Sequence, residues 1–474
     1  MKSLLSDAPH SFEAGFNAIR RELDVPDAFP ANVLEAARSA RPAEFERIDA
    51  RHIPFVAVDP EGATDLDQAF AAEANPATSP GGYRVFYAIA DVGAFLTPGG
   101  PIDTEARKRG TTLYSPDLRT PLHPPVISED RASLLPGGER PALLWTIDLG
   151  PDGEAVNARL ERATVRVSEA ISYAEAQHRA DGSDELMVLL RTIGQLRQQQ
   201  EMARGGVSLN LPSQEIAERE GNYTLEYRDA LPIEGWNAQI SLLTGIVAGK
   251  AMAEANVGIL RTLPPTRNQD LRKLRRQAKS LGVDWPDQLE YPEMIRGVQP
   301  GTPAKNAFLL QAARSFRGAG YAGFNGPLPD LHEHGAIASI YGHVTAPLRR
   351  LVDRFANEIL LSIYADQTPP AWAVEALDEL PSLMGRARSR ESALERATVD
   401  FAEACLLSDQ VGSKFGAFVV DLDAKRDRAT VQIAEPAIVA NISPAGRTLA
   451  EELTLVLTSA DTGKRIVTFD VDVD

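Results

Sequence analysis

The spacing of hydrophobic and polar positions changes along the chain. Residues 53–149 contain short apolar runs separated by Gly- and Pro-rich loops, which predicts strands at Phe55–Val58, Tyr83–Ala90 and Leu143–Leu149. From about Ser168 apolar residues recur three and four positions apart, which predicts amphipathic helices. The most convincing helices are expected at Trp236–Ala255, Asp270–Leu281, Leu348–Ala365 and Glu391–Asp409.

The two ends of the chain differ from this mixed body. Residues 411–474 return to short strands at regular spacing, a pattern typical of an OB-fold barrel. The expected strands are Phe415–Leu422, Thr430–Ala434, Ala437–Ile442, Leu453–Ser459 and Ile466–Val473. Residues 1–52 read as two short helices, the first capped by Ser11 and the second opened by Pro30. Both a helix-turn-helix and a simple packing hairpin are open for this segment.

These patterns predict an α+β protein with three parts. The expected parts are a helical N-terminal module over residues 1–52, a large mixed domain over residues 53–410 and a small all-β OB-fold domain over residues 411–474. A chain of 474 residues is too long for a single hydrophobic core, which agrees with this division.

The composition indicates the cellular compartment in which the protein works. The single cysteine, Cys405, excludes an internal disulfide and a cysteine-based zinc site, which favours a reducing compartment. The first residues contain no apolar signal core, and no stretch reaches the roughly 20 apolar residues of a membrane span. We expect a cytoplasmic protein that does not associate with a membrane. Nothing in the sequence indicates an obligate protein partner.

The net charge of −17 opposes general coating by nucleic acid, because non-specific binding needs Lys and Arg to replace counterions. A basic channel inside an acidic protein would resolve this conflict, since local charge attracts a phosphate.

An acidic loop follows the first predicted strand. Asp59, Asp65 and Asp67 lie within nine residues, and Asp65 and Asp67 share one face if the chain between them is extended. Pro60 and Gly62 allow the turn that brings Asp59 back towards them. Three carboxylates repel one another unless a cation lies between them, and hard oxygen ligands favour Mg²⁺ or Mn²⁺. A solvated acidic turn is the simpler interpretation, and the spacing lacks the ligand pattern of an EF-hand.

This segment resembles the catalytic signature of the ribonuclease II family, in which four acids bind the metal. Asp59, Asp65 and Asp67 match the first three acids in register. Gln68 stands in the fourth place, where its oxygen can ligate a metal but carries no charge.

The resemblance continues in three later segments. Residues 87–92 read Tyr-Ala-Ile-Ala-Asp-Val, and residues 109–116 follow the family's Arg-Gly-Thr-Ser-x-Tyr-x-Pro region, which implies that Tyr114 stacks on RNA. Residues 341–350 resemble the family's Tyr-x-His-x-Thr-Ser-Pro-Ile-Arg-Arg element. That match places Arg349 where the family has the arginine essential for cleavage. It also implies that Arg350 binds the substrate and that Asp353 can orient one of the two arginines.

The resemblance carries two weaker assignments for substrate binding. Glu395 matches a glutamate that approaches the RNA end, and Leu209 stands near the place of a second stacking aromatic. The family helix that aligns near Asn237 carries acids, whereas this chain has Ser241 there, so it receives no catalytic role.

The implied function is metal-dependent hydrolysis of RNA from its single-stranded 3′ end, with release of nucleoside 5′-monophosphates. Asp65, Asp67 and Arg349 would be catalytic, and Asp59, Asp65, Asp67 and Gln68 would hold Mg²⁺ or Mn²⁺. Two alternatives compete. The chain could be an inactive family member that only binds RNA, or His332, Glu333, His334 and His343 could form a zinc site, although their spacing is not that of a zincin.

Overall fold

The computed structural model describes residues 9–74, 81–209, 213–219, 222–298, 301–313, 316–423 and 426–472. Within these ranges the chain mixes helices and strands, and the predicted α+β class is confirmed. The described strands are β1 Ile48–Asp49, β2 Phe55–Val58, β3 Gln68–Ala74, β4 Tyr83–Ala90, β5 Leu113–Tyr114, β6 Arg119–Thr120, β7 Glu139–Leu149, β8 Ala155–Ile171, β9 Ser213–Arg219, β10 Asn222–Arg228, β11 Val257–Thr262, β12 Gly320–Asn325, β13 Glu333–His334, β14 Ser339–Ile340, β15 Lys414–Asp423, β16 Arg428–Ile433, β17 Ile438–Ile442, β18 Glu452–Asp461 and β19 Ile466–Val471.

Helices fill most of the chain between residues 173 and 407. The described α-helices are α1 Pro9–Glu22, α2 Ala31–Ser39, α3 Pro101–Arg109, α4 Tyr173–Asp181, α5 Glu185–Ala203, α6 Pro232–Glu254, α7 Asn268–Ser280, α8 Tyr291–Gly297, α9 Pro303–Ala313, α10 Leu351–Tyr364, α11 Ala371–Glu375 and α12 Leu380–Leu407. No described helix is long and apolar enough to cross a membrane.

The large domain is built on one sheet with the strand order β1-β8-β2-β3-β4-β7. The long strand β8 pairs with β7 over its first part and with β2 over its last part, which closes the sheet on itself. Alternate residues of each strand face two apolar clusters, so that Val56 and Phe70 lie in one and Phe55 and Ala69 in the other. A sheet buried on both faces is rigid, and the acidic loop joins two of its central strands, β2 and β3.

The C-terminal strands form a separate sheet with the order β17-β16-β15-β18-β19. Its outermost strands, β17 and β19, also touch each other, so the sheet is nearly a barrel. Alternation along β16 and β17 points Val431, Ile433 and Ile438 into its core. This arrangement confirms the predicted OB-type fold.

Each N-terminal helix packs against the body of the protein. Helix α1 lies on α12, and α2 lies on α3. The first helix, described from Pro9, already contains Ser11, so Ser11 does not cap it as predicted, whereas Pro30 directly precedes the second, as predicted.

Several elements differ from the sequence prediction. Strand β8 extends to Ile171, and β11 and β12 form an antiparallel pair within the region predicted to be helical. Charged residues of β8, such as Arg159, Glu161 and Arg166, lie between its buried positions Leu160, Val165 and Val167, and they hide the apolar pattern of a strand. Helix α10 begins at Leu351 and not at Leu348, so Arg349 and Arg350 lie before the helix in irregular chain.

Trp145 tests the role of the central sheet in stability. It is fully buried on β7 and its ring meets Tyr364 edge to face at 5.4 Å. We expect Trp145→Ala to lower the free energy of unfolding by about 3–5 kcal/mol, because the cavity cannot collapse in a packed sheet. Val156→Ala on the neighbouring strand removes a side chain that is 58% exposed and should change stability by less than about 0.5 kcal/mol. Urea denaturation of both variants checks this, and equal effects would contradict it.

Candidate active site

The acidic loop between β2 and β3 is held in one conformation by backbone and hydroxyl contacts. Gly62 adopts φ +77°, a left-handed conformation that turns the chain back after Asp59. The Ser133 hydroxyl donates to the Thr64 carbonyl at 2.7 Å and accepts from the Leu66 N–H at 2.9 Å. Leu66 is buried, so its two neighbours Asp65 and Asp67 point the other way, as the alternation predicted.

Asp67 joins the acidic loop to the distant segment before α10. One carboxylate oxygen accepts from the Leu348 backbone N–H at 2.7 Å, and the other accepts from the Arg349 Nε at 3.1 Å. The carboxylate is buried, whereas the Arg349 side chain is 49% exposed. Burial raises the pKa of Asp67 to about 7, and the contacts with Arg349 and the Leu348 N–H only partly offset this effect. Arg349 thus keeps its outer nitrogens available at the surface of the site.

Asp65 meets a short hairpin formed by β5 and β6. The Tyr114 hydroxyl donates to one carboxylate oxygen of Asp65 at 3.1 Å, and Arg119 forms an ion pair with the other. Arg119 also donates to the Thr64 hydroxyl at 2.8 Å. The Tyr114 side chain is 52% exposed, so a ring face lies open beside the carboxylates.

Asp59 completes the group of acids. It follows β2 directly, and its backbone N–H donates to the Ile171 carbonyl at 3.2 Å. Among the described residues none donates a hydrogen bond to its carboxylate. Burial raises the pKa of Asp59 to about 6, with the Asp65 charge adding to this increase and Arg349 opposing it.

The chemistry of these acids fits a divalent cation, although their arrangement is not that of a closed metal site. Across the described residues, no three His, Cys, Asp or Glu side chains are grouped so as to hold a metal ion. Asp65 and Asp67 are instead paired with arginines. Asp59 is a partly buried carboxylate to which no described residue donates a hydrogen bond, and it lies near the Asp65 charge. A cation would offset both its burial and this repulsion. Asp59 is therefore the side chain best suited to hold one, with Asp65 as its charged neighbour.

Gln68 lies in a hydrogen-bond network that uses both ends of its amide. Its nitrogen donates to the Thr345 carbonyl at 2.6 Å, and its oxygen accepts from the Tyr87 hydroxyl at 2.5 Å. The Ser241 hydroxyl lies 2.7 Å from the Tyr87 hydroxyl and 3.3 Å from the Gln68 oxygen. The predicted role of Gln68 as a metal ligand would require its oxygen to leave this network, and that role stays a prediction.

Two of the predicted substrate-binding residues have structural partners. Arg350 donates from its Nε and one terminal nitrogen to the two carboxylate oxygens of the buried Asp353, at 2.5 and 2.7 Å, which is the orienting contact predicted for that aspartate. Leu209 packs against an apolar cluster that includes Tyr291 and Leu274. Neither side chain is presented to a ligand as freely as Tyr114.

Glu395 lies exposed on α12, as a solvated helical glutamate would. Its neighbour one turn earlier, Glu391, interacts electrostatically with Arg349 and Arg350. Desolvation raises the pKa of Glu391, the Glu395 charge raises it further, and the arginines oppose both. The α12 acids therefore border the arginine side of the site.

The histidine cluster does not assemble. His343 contacts the Tyr321 hydroxyl through Nδ1 at 2.7 Å, and His332 contacts the Pro329 carbonyl. Burial lowers the pKa of His334 to about 4. Within the described part of the chain these side chains form no metal-binding group, so the zinc alternative receives no support.

Sequence reasoning missed Arg119 and Tyr87. Arg119 lies directly across β5–β6 from Tyr114, and the Pro116-Asp117 turn between them was a usable signal. Tyr87 lies within the Tyr-Ala-Ile-Ala-Asp-Val motif, but only the folded structure brings it to Gln68 and Ser241.

Comparison with known proteins identifies the family. Residues 47–366 match the model of the RNB domain, and residues 413–472 match the RNase II-type exonuclease C-terminal S1 domain. Because the RNB match spans more than half of this chain, the chain belongs to the ribonuclease II family, whose members carry the RNB domain.

Three similar proteins show the range of this family and fold. The exosome complex exonuclease RRP44 homolog A of Arabidopsis thaliana is 30% identical over 67% of this chain, which spans 36% of that relative. The ribonuclease R of Mycoplasma genitalium, solved with ribose-methylated single-stranded RNA, superposes with a TM-score of 0.85 at 19% identity, covering 98% of this chain and 78% of the other. Yeast Ssd1, a pseudonuclease, superposes with a TM-score of 0.73 at 15% identity, covering 97% and 58%. The chain thus spans about a third of the length of the curated relative.

The raised pKa of Asp67 predicts how stability depends on pH. The folded protein binds the proton of the Asp67 carboxyl more tightly than the unfolded chain does. The contribution of this proton to folding stability is complete below about pH 4 and is lost as pH rises through about 7. Asp67→Asn cannot ionise. Between pH 4 and 8 its stability should rise relative to the wild type by up to roughly 4 kcal/mol, since one pKa unit corresponds to about 1.4 kcal/mol.

Urea denaturation across this pH range, in buffer with a chelator, measures the difference. Asp287→Asn is the matched control, because that side chain is fully exposed. A difference between wild type and Asp67→Asn that stays constant with pH would contradict the prediction.

Proposed function

We propose that this protein is a hydrolytic exoribonuclease that shortens RNA from its single-stranded 3′ end and releases nucleoside 5′-monophosphates in the cytoplasm. One observation carries the proposal. Asp67 fixes Arg349 beside the Asp59–Asp65 acids, and Tyr114 presents an open ring face at the same place. An anion-binding group, acids suited to a cation and a stacking surface are the three features that phosphodiester cleavage at an RNA end requires.

The side chains divide the reaction between them. Tyr114 stacks on a base near the 3′ end and is held at its hydroxyl by Asp65. Arg349, with its Nε on Asp67, directs its remaining N–H groups to the scissile phosphate and stabilises the negative charge that develops there. Water adds to the phosphorus of the terminal nucleotide, and the bond to the 3′-oxygen of the preceding nucleotide breaks, with that oxygen taking up a proton.

The proposed cofactor is Mg²⁺, with Mn²⁺ as a substitute. Asp59 and Asp65 would hold it, with Asp67 and Gln68 as further candidates. A bound divalent ion would supply Lewis acidity at the phosphate and lower the pKa of a bound water.

We assign a separate role to each predicted domain. Residues 53–410 would carry the catalysis, residues 411–474 would contact the RNA, and residues 1–52 would support the catalytic part. The negative net charge is consistent with this, because a cation and the arginines act locally on the phosphate.

An RNA-binding protein without activity is the second candidate. The observation that favours it is the engagement of Gln68 by Tyr87 and Ser241, which places an uncharged, hydrogen-bonded amide at the position of the fourth acid.

A gel assay distinguishes the two candidates. RNA labelled at its 5′ end is incubated with purified protein and Mg²⁺ or Mn²⁺. We expect progressive shortening from the 3′ end that stops in EDTA and slows at least about 100-fold in Asp67→Asn, because the asparagine no longer pairs electrostatically with Arg349. Asp287→Asn should cleave at the wild-type rate. Intact RNA with retained binding would overturn the enzyme and favour the binding protein.

A further inference from the structure

The hairpin that carries Tyr114 has two faces with different partners. On the outer face Tyr114 and Arg119 pair across the strands and both contact Asp65. On the inner face Leu113 is buried in an apolar cluster with Phe12 and Phe16 of helix α1. Since adjacent residues of a strand point to opposite faces, the N-terminal helix forms the back wall of this hairpin.

A buried ion pair joins the same helix to the hairpin turn. Arg20 donates from its two terminal nitrogens to the two carboxylate oxygens of Asp117 at 2.7 and 2.8 Å. Asn17, one helical turn earlier, accepts from the same guanidinium at 2.7 Å. The two charged side chains are only 4% and 13% exposed. A bidentate contact of this kind fixes orientation as well as distance.

The β5–β6 hairpin has little stability of its own. Each strand has two residues, and an isolated pair of this length does not stay folded in water. Its start is tied to the segment before α10, because the Thr112 N–H donates to the Arg349 carbonyl at 2.9 Å. Its turn, residues 115–118, contains Asp117. The Arg20 contact is therefore a polar attachment at the far end of the hairpin, while the Thr112 contact holds its base.

We infer that Arg20 is a positioning residue for RNA: through Asp117 it holds the β5–β6 hairpin so that Tyr114 stays aligned with Asp65 and the substrate base. Arg20 lies outside the two segments that match the family models, at residues 47–366 and 413–472. The inference rests on the proposed function as far as the substrate is concerned. The mechanical link from α1 to Tyr114 does not depend on it.

The first test measures the hairpin without RNA. Hydrogen exchange is followed in peptides that cover residues 110–120 of the full chain. Arg20→Ala should accelerate exchange there about tenfold or more, because the turn loses its attachment. Arg21→Ala, at the neighbouring exposed position, is the control and should leave these peptides unchanged. Unchanged exchange in Arg20→Ala would overturn the inference.

The second test measures RNA binding in a chelator, so that no cleavage occurs. The probe is single-stranded RNA with 2-aminopurine at its 3′ end, whose fluorescence reports stacking. We expect Arg20→Ala to weaken binding about five- to tenfold, within the range of one lost base-stacking contact. Arg20→Ala combined with Tyr114→Ala should bind no more weakly than Tyr114→Ala alone, because both changes remove the same contact.

The possible outcomes separate the two hypotheses. Additive effects of the two substitutions would show that Arg20 acts elsewhere and would overturn the inference. Wild-type protein that does not bind the RNA would overturn the proposed function, and hydrogen exchange alone would then decide the mechanical link. Should Arg20→Ala fail to fold, Asp117→Asn tests the same contact with a side chain of the same shape.

Discussion

The site depends on one contact between parts of the chain that are far apart in sequence. The Asp67 carboxylate accepts from the Leu348 N–H and from Arg349, and it is buried while doing so. A buried carboxylate is costly unless donors satisfy it, so the segment before α10 has to remain where the acidic loop needs it. The closed central sheet holds the acidic loop in place, because the loop leaves β2 and returns into β3. Tyr114, Arg119 and Arg350 are all placed relative to these two segments.

The same contact makes the proposed action on RNA compatible with an acidic protein. Asp59 and Asp67 both have raised pKa values, because burial opposes their charged forms. A positive neighbour, either Arg349 or a divalent cation, therefore stabilises the charged form of each carboxylate. Local compensation of this kind can hold a phosphate even in a chain whose net charge is −17. Most of the described arginines near the site are already paired, and Arg349 is the one most exposed to a ligand.

Much of this architecture could be predicted from the sequence, and the reasons for the failures are physical. The α+β class and the C-terminal barrel followed from hydrophobic periodicity, and the family from motifs spaced along the chain. Strand β8 was not predicted, because charged residues interrupt its apolar positions such as Leu160 and Val165. The link between Arg20 and Asp117 and the contacts of Gln68 with Tyr87 and Ser241 join residues far apart in sequence. No local pattern encodes such contacts, because tertiary packing decides them.

The central claim is that Asp67 delivers the Arg349 guanidinium to the scissile phosphate. Chemical rescue tests it most directly. Single-turnover cleavage of RNA is measured for Arg349→Ala with and without millimolar guanidinium ion, beside Arg21→Ala, at an exposed position of α1, as the control. The account predicts a rate about 100-fold or more below the wild type for Arg349→Ala, partly restored by guanidinium only while Asp67 is present to bind it. A wild-type rate in Arg349→Ala, or equal rescue in Arg349→Ala combined with Asp67→Ala, would contradict it.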